Sequence, residues 1–240
     1  MSQIGQQVTL KSADGTQIPA WAAIPQGPVR GAVVVVQEIF GVNSHIRDVT
    51  ERWAAQGFAA IAPAMYERLV PATSAQPLGV ELGYSGDDMQ KGIALKAQAE
   101  ALPAPGVLQD IAAAAQWLKA TVNAKVGVTG FCWGGLLTWR AACQLPEVNA
   151  AVSYYGGGMT VEPAISQQPQ CPVMAHFGNL DHFISMDSVR AFEAAHPKVE
   201  VHVYDADHGF NCDQRGSYNA AAAQLANQRT VDFFTQHLKA

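Results

Sequence analysis

Residues 124–143 constrain the fold more tightly than any other part of the chain. An apolar run, Ala124-Lys125-Val126-Gly127-Val128-Thr129, leads into Gly130-Phe131-Cys132-Trp133-Gly134, and Leu136-Leu137-Thr138-Trp139-Arg140-Ala141-Ala142-Cys143 follows with helical character. The expected order is buried strand, sharp turn, helix. A residue at the tip of such a turn is held in a strained backbone conformation, and strand and helix approach so closely that only small neighbours fit. Gly130, Gly134 and Gly135 meet that demand. The turn has the form of a nucleophile elbow with cysteine where serine usually stands, so Cys132 is the candidate reactive group. A small buried hydrophobe is the competing reading of a solitary cysteine.

The surrounding pattern sets this unit in an α/β sheet. Residues 7–24 read as an antiparallel hairpin, with alternation at Val8-Thr9-Leu10 and a turn at Ala13-Asp14-Gly15. The uninterrupted run from Gly31 through Val36 to Glu38 suits a strand covered by helices on both faces. Asn43 or Ser44 caps a helix through Ile46, Val49, Trp53 and Ala54, Gly57 ends it, and residues 58–62 form the next strand. Helices over residues 89–101, 107–121, 187–195 and 218–238 alternate with strands over 149–155, 172–177 and 199–204. That rhythm implies a mostly parallel sheet wrapped on both sides, with the hairpin as an antiparallel edge, in a single domain spanning residues 1–240. Residues 65–106 are less regular and form a candidate cap over a pocket.

Composition narrows the partners. A formal charge of −5 and a pI near 5.8 provide no basic face for phosphate, so nucleic acid is not an expected partner. No apolar run reaches the length of a membrane span. Residues 1–7 show neither a basic leader nor a secretory apolar stretch, which makes a cytoplasmic location the expectation. Cys132, Cys143, Cys171 and Cys212 form no C-x-x-C pair and no zinc-site spacing with histidine, so free thiols without a metal or disulfide framework are expected.

Acyl transfer by cysteine requires a base beside the sulfur, an acid to orient that base, and donors for the oxyanion. In hydrolases built around an elbow the chain order is nucleophile, acid, histidine. After Cys132, the strand at 172–177 exits into Gly178-Asn179-Leu180-Asp181, and the strand at 199–204 exits into Asp205-Ala206-Asp207-His208. Asp181 and His208 therefore fit the order. His182 is a weaker base because it adjoins Asp181, His176 and His202 lie inside strands, and Asp187 and Asp207 are weaker acids, the first at a helix start where a carboxylate is favourable in any case. Glu38, a carboxylate ending an apolar strand, has two readings. One is a partner for Arg47 or for a backbone donor. The other is a place beside the sulfur, where a second negative group raises the cost of forming thiolate.

Taken with Gln37-Glu38-Ile39-Phe40-Gly41-Val42-Asn43, Gly130-Phe131-Cys132-Trp133-Gly134-Gly135, Asp181-His182-Phe183 and His208-Gly209-Phe210, the chain resembles the dienelactone hydrolase family of α/β hydrolases from about Gly31 onward. The resemblance implies Cys132 as nucleophile, His208 as base, Asp181 as its orienting acid and Glu38 as the contact of the resting thiol. It also implies an oxyanion hole from the backbone N–H groups of Ile39 and Trp133. The implied activity is cofactor-free hydrolysis of small carboxylic esters or lactones through a thioester. The pattern departs at one point: dienelactone hydrolases proper hold a substrate carboxylate with an arginine four residues beyond the histidine, and here that residue is Cys212. Arg68, Lys91 and Arg215 are the remaining candidate substrate cations. A redox or ligand sensor on the same fold, and an esterase for other acyl groups, are the alternative functions.

Overall fold

The structure is a computed structural model that describes residues 5–239; residues 1–4, part of the stretch read for a leader, lie outside them. An antiparallel hairpin of β1 (Gly5–Lys11) and β2 (Gln17–Ala23) opens the described chain. It is followed by β3 (Gly31–Val36), α1 (Ser44–Ala55), β4 (Phe58–Pro63), α2 (Gly86–Glu100), α3 (Leu108–Val122), β5 (Val126–Phe131) and α4 (Trp133–Gln144). Then come β6 (Val148–Tyr154), β7 (Val173–Gly178), α5 (Met186–Ala195), β8 (Glu200–Tyr204) and α6 (Ala220–His237). The strands form one eight-stranded sheet in the order β1-β2-β4-β3-β5-β6-β7-β8. β2 pairs antiparallel with β4 and every later pair is parallel, so the expected hairpin edge is present.

Every residue of β3, β4, β5 and β7 is buried, as the unbroken apolar runs require. Each fully buried Val or Ile of these strands contributes about 1.5–3 kcal/mol relative to an exposed one. α3 and α4 pack together, and α1 meets α6 through Trp53 and Phe234, whose ring centroids are 5.4 Å apart. α1 and α3 both pack on β3 and β4, whose residues are buried throughout. Asn43 caps α1, its side chain accepting from the Ile46 N–H. Among the described residues no helix is long and apolar enough to cross a membrane.

Arg68 is held by this framework. Its guanidinium bonds both carboxylate oxygens of fully buried Asp110, Nε to Oδ2 at 3.0 Å and Nη2 to Oδ1 at 2.7 Å, and also holds Asp14. This clip ties the turn of the β1–β2 hairpin to α3. The arginine was a candidate cation because sequence shows its charge; its two aspartate partners, 54 and 42 residues away, already satisfy it.

Candidate active site

The parallel strands end on one side, and the ends of β3, β5, β7 and β8 bring the candidate residues together there, where ligands of open α/β sheets gather. Between β5 and α4 only Cys132 remains, with φ 56° and ψ −116°. This non-glycine residue at positive φ is the strain expected of an elbow. Its flanking glycines are needed for room. A Cβ on Gly130 would lie 2.2 Å from the Gly134 carbonyl oxygen, and one on Gly134 would lie 2.4 Å from the carbonyl oxygens of both Val36 and Gln37.

Asp181 and His208 meet as their order in the chain anticipates. Asp181 Oδ2 lies 2.7 Å from His208 Nδ1, while Oδ1 accepts from the N–H groups of Phe183 at 2.8 Å and Ile184 at 3.2 Å. Both side chains are buried. With Nδ1 engaged by the carboxylate, Nε2 is the nitrogen left for proton exchange. Burial works against charge on the imidazole, but Asp181 and a Cys132 thiolate outweigh it and lift the His208 pKa to about 10, so a proton given up by the sulfur is held firmly on the imidazole. Tyr155 and Phe183 flank the imidazole, each with its ring centroid 5.1 Å away.

The weaker alternatives have other partners. His182 is exposed. Fully buried His176 bonds Tyr204 and Thr230, and His202 stacks against it. Asp207 accepts from the His208 N–H, and Asp187 sits in the first turn of α5, paired with Arg190.

Glu38 is 1% exposed and pairs neither with Arg47, which bonds Glu81, nor with a backbone donor. Its Oε1 accepts from Arg215 Nη1 at 2.8 Å, and its Oε2 is buried without a hydrogen-bond partner. Arg215 reaches it by passing over Gly209, where a Cβ would fall 2.5 Å from the arginine Nη1. Gly209 also has φ 81°, so glycine is required there twice over. Cys212, four residues beyond His208, is buried and donates to the Tyr84 hydroxyl at 3.3 Å.

A cavity of about 310 Å³ opens at these residues. Cys132, His208, Ile39 and Trp133 line it together with Arg215, and Met89, Ile93 and Lys96 of α2 form one wall. Residues 65–106 do supply a cap in this sense. Lys91 does not take part, since it lines a separate hollow with Gln76 and Leu82. Residues 89, 93 and 96 share one helix face, and a step of two from Met89 carries Lys91 well round the axis. Lys96, one turn beyond Gly92, is the α2 cation at the cavity.

The Trp133 N–H opens α4 and so has no partner within the helix. The segment carrying Ile39 is tethered twice: Gln37 Oε1 accepts from the Met65 N–H at 3.2 Å, and the Tyr66 hydroxyl donates to the Ile39 carbonyl at 3.1 Å. All four cysteines are free thiols. Among the described residues one group with metal-ligating atoms assembles in space, His45, Cys212 and Asp213, within 4.8 Å of one another. Within it His45 Nδ1 lies 3.0 Å from Asp213, Arg52 approaches the same carboxylate at 3.3 Å and Cys212 is engaged by Tyr84, while His45 Nε2 has no hydrogen-bond partner.

Known proteins are similar to the chain in sequence family and in overall fold. The profile described as the dienelactone hydrolase family matches residues 18–238. A Synechocystis sp. protein with a provisional carboxymethylenebutenolidase name is 42% identical over 230 residues, covering 90% of this chain and 89% of that one. The carboxymethylenebutenolidase of Pseudomonas putida is 32% identical over 232 residues, with 94% of each chain covered. The crystal structure of a provisionally named dienelactone hydrolase from Klebsiella pneumoniae superposes with a TM-score of 0.78 at 33% identity, covering 97% of this chain and 98% of the other.

Proposed function

The chain belongs to the dienelactone hydrolase family, and on that premise we propose that it hydrolyses small carboxylic esters or lactones through a thioester on Cys132. The observation that carries this reading is the convergence of an elbow cysteine with an Asp181–His208 pair bonded at 2.7 Å at one cavity. The thiol gives its proton to His208 Nε2, and the sulfur attacks the substrate carbonyl. The developing oxyanion is received by the N–H groups of Ile39 and Trp133. Collapse expels the alcohol, which takes the proton from His208. Water, deprotonated by the same imidazole, then attacks the thioester, the acid is released, and the departing sulfur takes the proton back from His208.

The cavity is largely apolar, and its two cations differ in availability. Arg215 is bonded to Glu38, whereas Lys96 has no ion-pair partner among the described residues. The reading is tested by rapid mixing with an activated ester. A burst of alcohol equal to the enzyme concentration is expected, followed by steady release, with the acyl mass on the peptide that contains Cys132. One permanent acylation without release would favour the sensor alternative, and a label elsewhere would reject the mechanism.

Glu38 has a further part in this proposal. Its Oε2 is buried without a hydrogen-bond partner in this structure, and we propose that it receives the Cys132 thiol when the sulfur turns inward, which makes thiolate costlier until substrate intervenes. Glu38→Gln is expected to speed alkylation of Cys132 by iodoacetamide at neutral pH about tenfold, the equivalent of one pKa unit. Equal rates in the two proteins would remove this role.

A further inference from the structure

Helix α2 bears on both residues whose N–H groups are proposed to hold the oxyanion. Gly92 lies against the first: a Cβ there would come 2.6 Å from the Ile39 carbonyl oxygen and 2.9 Å from its Cγ1. At the end of the helix Glu100 holds the second. Its Oε1 accepts from the Trp133 indole Nε1 at 2.8 Å, and its two oxygens grip the Arg140 guanidinium at 2.9 and 2.8 Å. Tyr66 closes the circuit, with its ring stacked 5.3 Å from Trp133 at an interplanar angle of 9° and its hydroxyl on the Ile39 carbonyl.

The Trp133 side chain is fully buried, and Glu100, at the surface end of the indole, is the hydrogen-bond partner of its N–H. Trp133 is also the first residue of α4, and its own backbone N–H faces the cavity end of that helix. Pinning the indole at its tip while Tyr66 covers its face fixes the rotamer of the residue that carries the donor. A bidentate guanidinium holds the carboxylate in the one plane that serves both partners. We propose that Glu100 is a positioning residue for the ester hydrolysis set out above, on which this inference rests: it holds Trp133 so that the Trp133 N–H meets the oxyanion as charge develops. Glu100 itself touches no substrate. Met89, Ile93 and Lys96, on the same helix, place the substrate against the donors that Gly92 and Glu100 key into position.

The test separates an effect on the oxyanion from an effect on the sulfur. Acylation by an activated ester builds an oxyanion, whereas alkylation by iodoacetamide is a displacement at carbon that builds none. Glu100→Ala is expected to slow acylation about 10- to 100-fold, less than the loss of a whole donor at ~10²- to 10³-fold, with KM within about twofold. Its alkylation rate should equal that of the parent protein. Glu100→Gln, which keeps an oxygen acceptor for the indole, should recover most of the acylation rate.

Trp133→Phe keeps the backbone N–H but lacks the indole donor, so it should show the same loss, and adding Glu100→Ala to it should cost nothing further. This cycle keeps the proposal testable even if one single variant folds poorly. Parallel loss of acylation and alkylation, no loss in either, or full additivity in the double variant would each overturn it. Failure of the underlying reading is distinguishable, because ester turnover would then persist in Cys132→Ala whatever happens at Glu100.

Discussion

Cys132→Ala is expected to lower turnover of an activated ester by about 10⁴-fold or more while leaving the fold intact. The size follows from the proposed division of labour. With no nucleophile, His208 and the oxyanion donors can assist only direct attack by water, which leaves a residual rate like that of hydrolases stripped of one triad member. The fold should survive because Cys132 is partly exposed and its side chain lies at the surface of the cavity, not within the layers that cover β3 and β5. Alanine also tolerates φ 56° no worse than cysteine does. Steady-state hydrolysis with unfolding by urea or heat checks both halves. Turnover within tenfold of the parent, in a variant of unchanged stability, would reject cysteine as the nucleophile.

Asp181→Asn should cost about 10⁴-fold in kcat through the tautomer of His208. The two backbone N–H groups on Oδ1 will hold the asparagine oxygen in that place and turn its NH₂ toward Nδ1. Nδ1 must then accept, the proton moves to Nε2, and the imidazole cannot take a proton from sulfur. The same substitution removes the largest support for charge on His208, so it has a signature in stability. With Cys132 as thiolate the folded-state pKa of about 10 exceeds the ordinary histidine value of 6.5, so that ionised form binds a proton on folding across the interval. The stabilisation this brings is complete below about pH 6.5 and is lost as pH rises toward 10. Urea unfolding from pH 6 to 10 should therefore slope downward in the parent and flatten in Asp181→Asn. A kcat within tenfold of the parent would reject the orienting role.

The sheet and the meeting of Asp181 with His208 were both legible for the same reason. Unbroken runs such as Val33 to Val36 declare strands covered on two faces, and parallel strands send their exits to one side, so residues just past them converge whatever the chain length between them. Boundaries moved by a few residues. β5 continues to Phe131, and α4 starts at Trp133, earlier than the helical pattern from Leu136 suggests, because the glycines that hid the helix's first turn are there for close approach.

Pairings between long side chains were not legible. Sequence showed Cys212 at the expected arginine position, but not that Arg215 crosses Gly209 to reach Glu38. It offered Arg47 as the Glu38 partner, although Glu81 claims that arginine. It also displayed Lys91 and Arg68 as available charges, when one faces a different hollow and the other is consumed by Asp110 and Asp14. Such choices depend on helix phase and on reach across tens of residues. The hints that did exist lay in Gly92 and Glu100, a glycine inside a helix and an acid at its end, where the dipole alone gives it no reason to be.

The packing of Gly92 on the Ile39 carbonyl bears on how this enzyme can be redesigned. Positions 89, 93 and 96 project into the cavity and are open to randomisation for new acyl groups. Grafting a foreign lid would instead disturb the floor beneath it, because any side chain at 92 drives into the backbone of residue 39. Selectivity here is best diversified one wall position at a time, with the helix retained as a chassis.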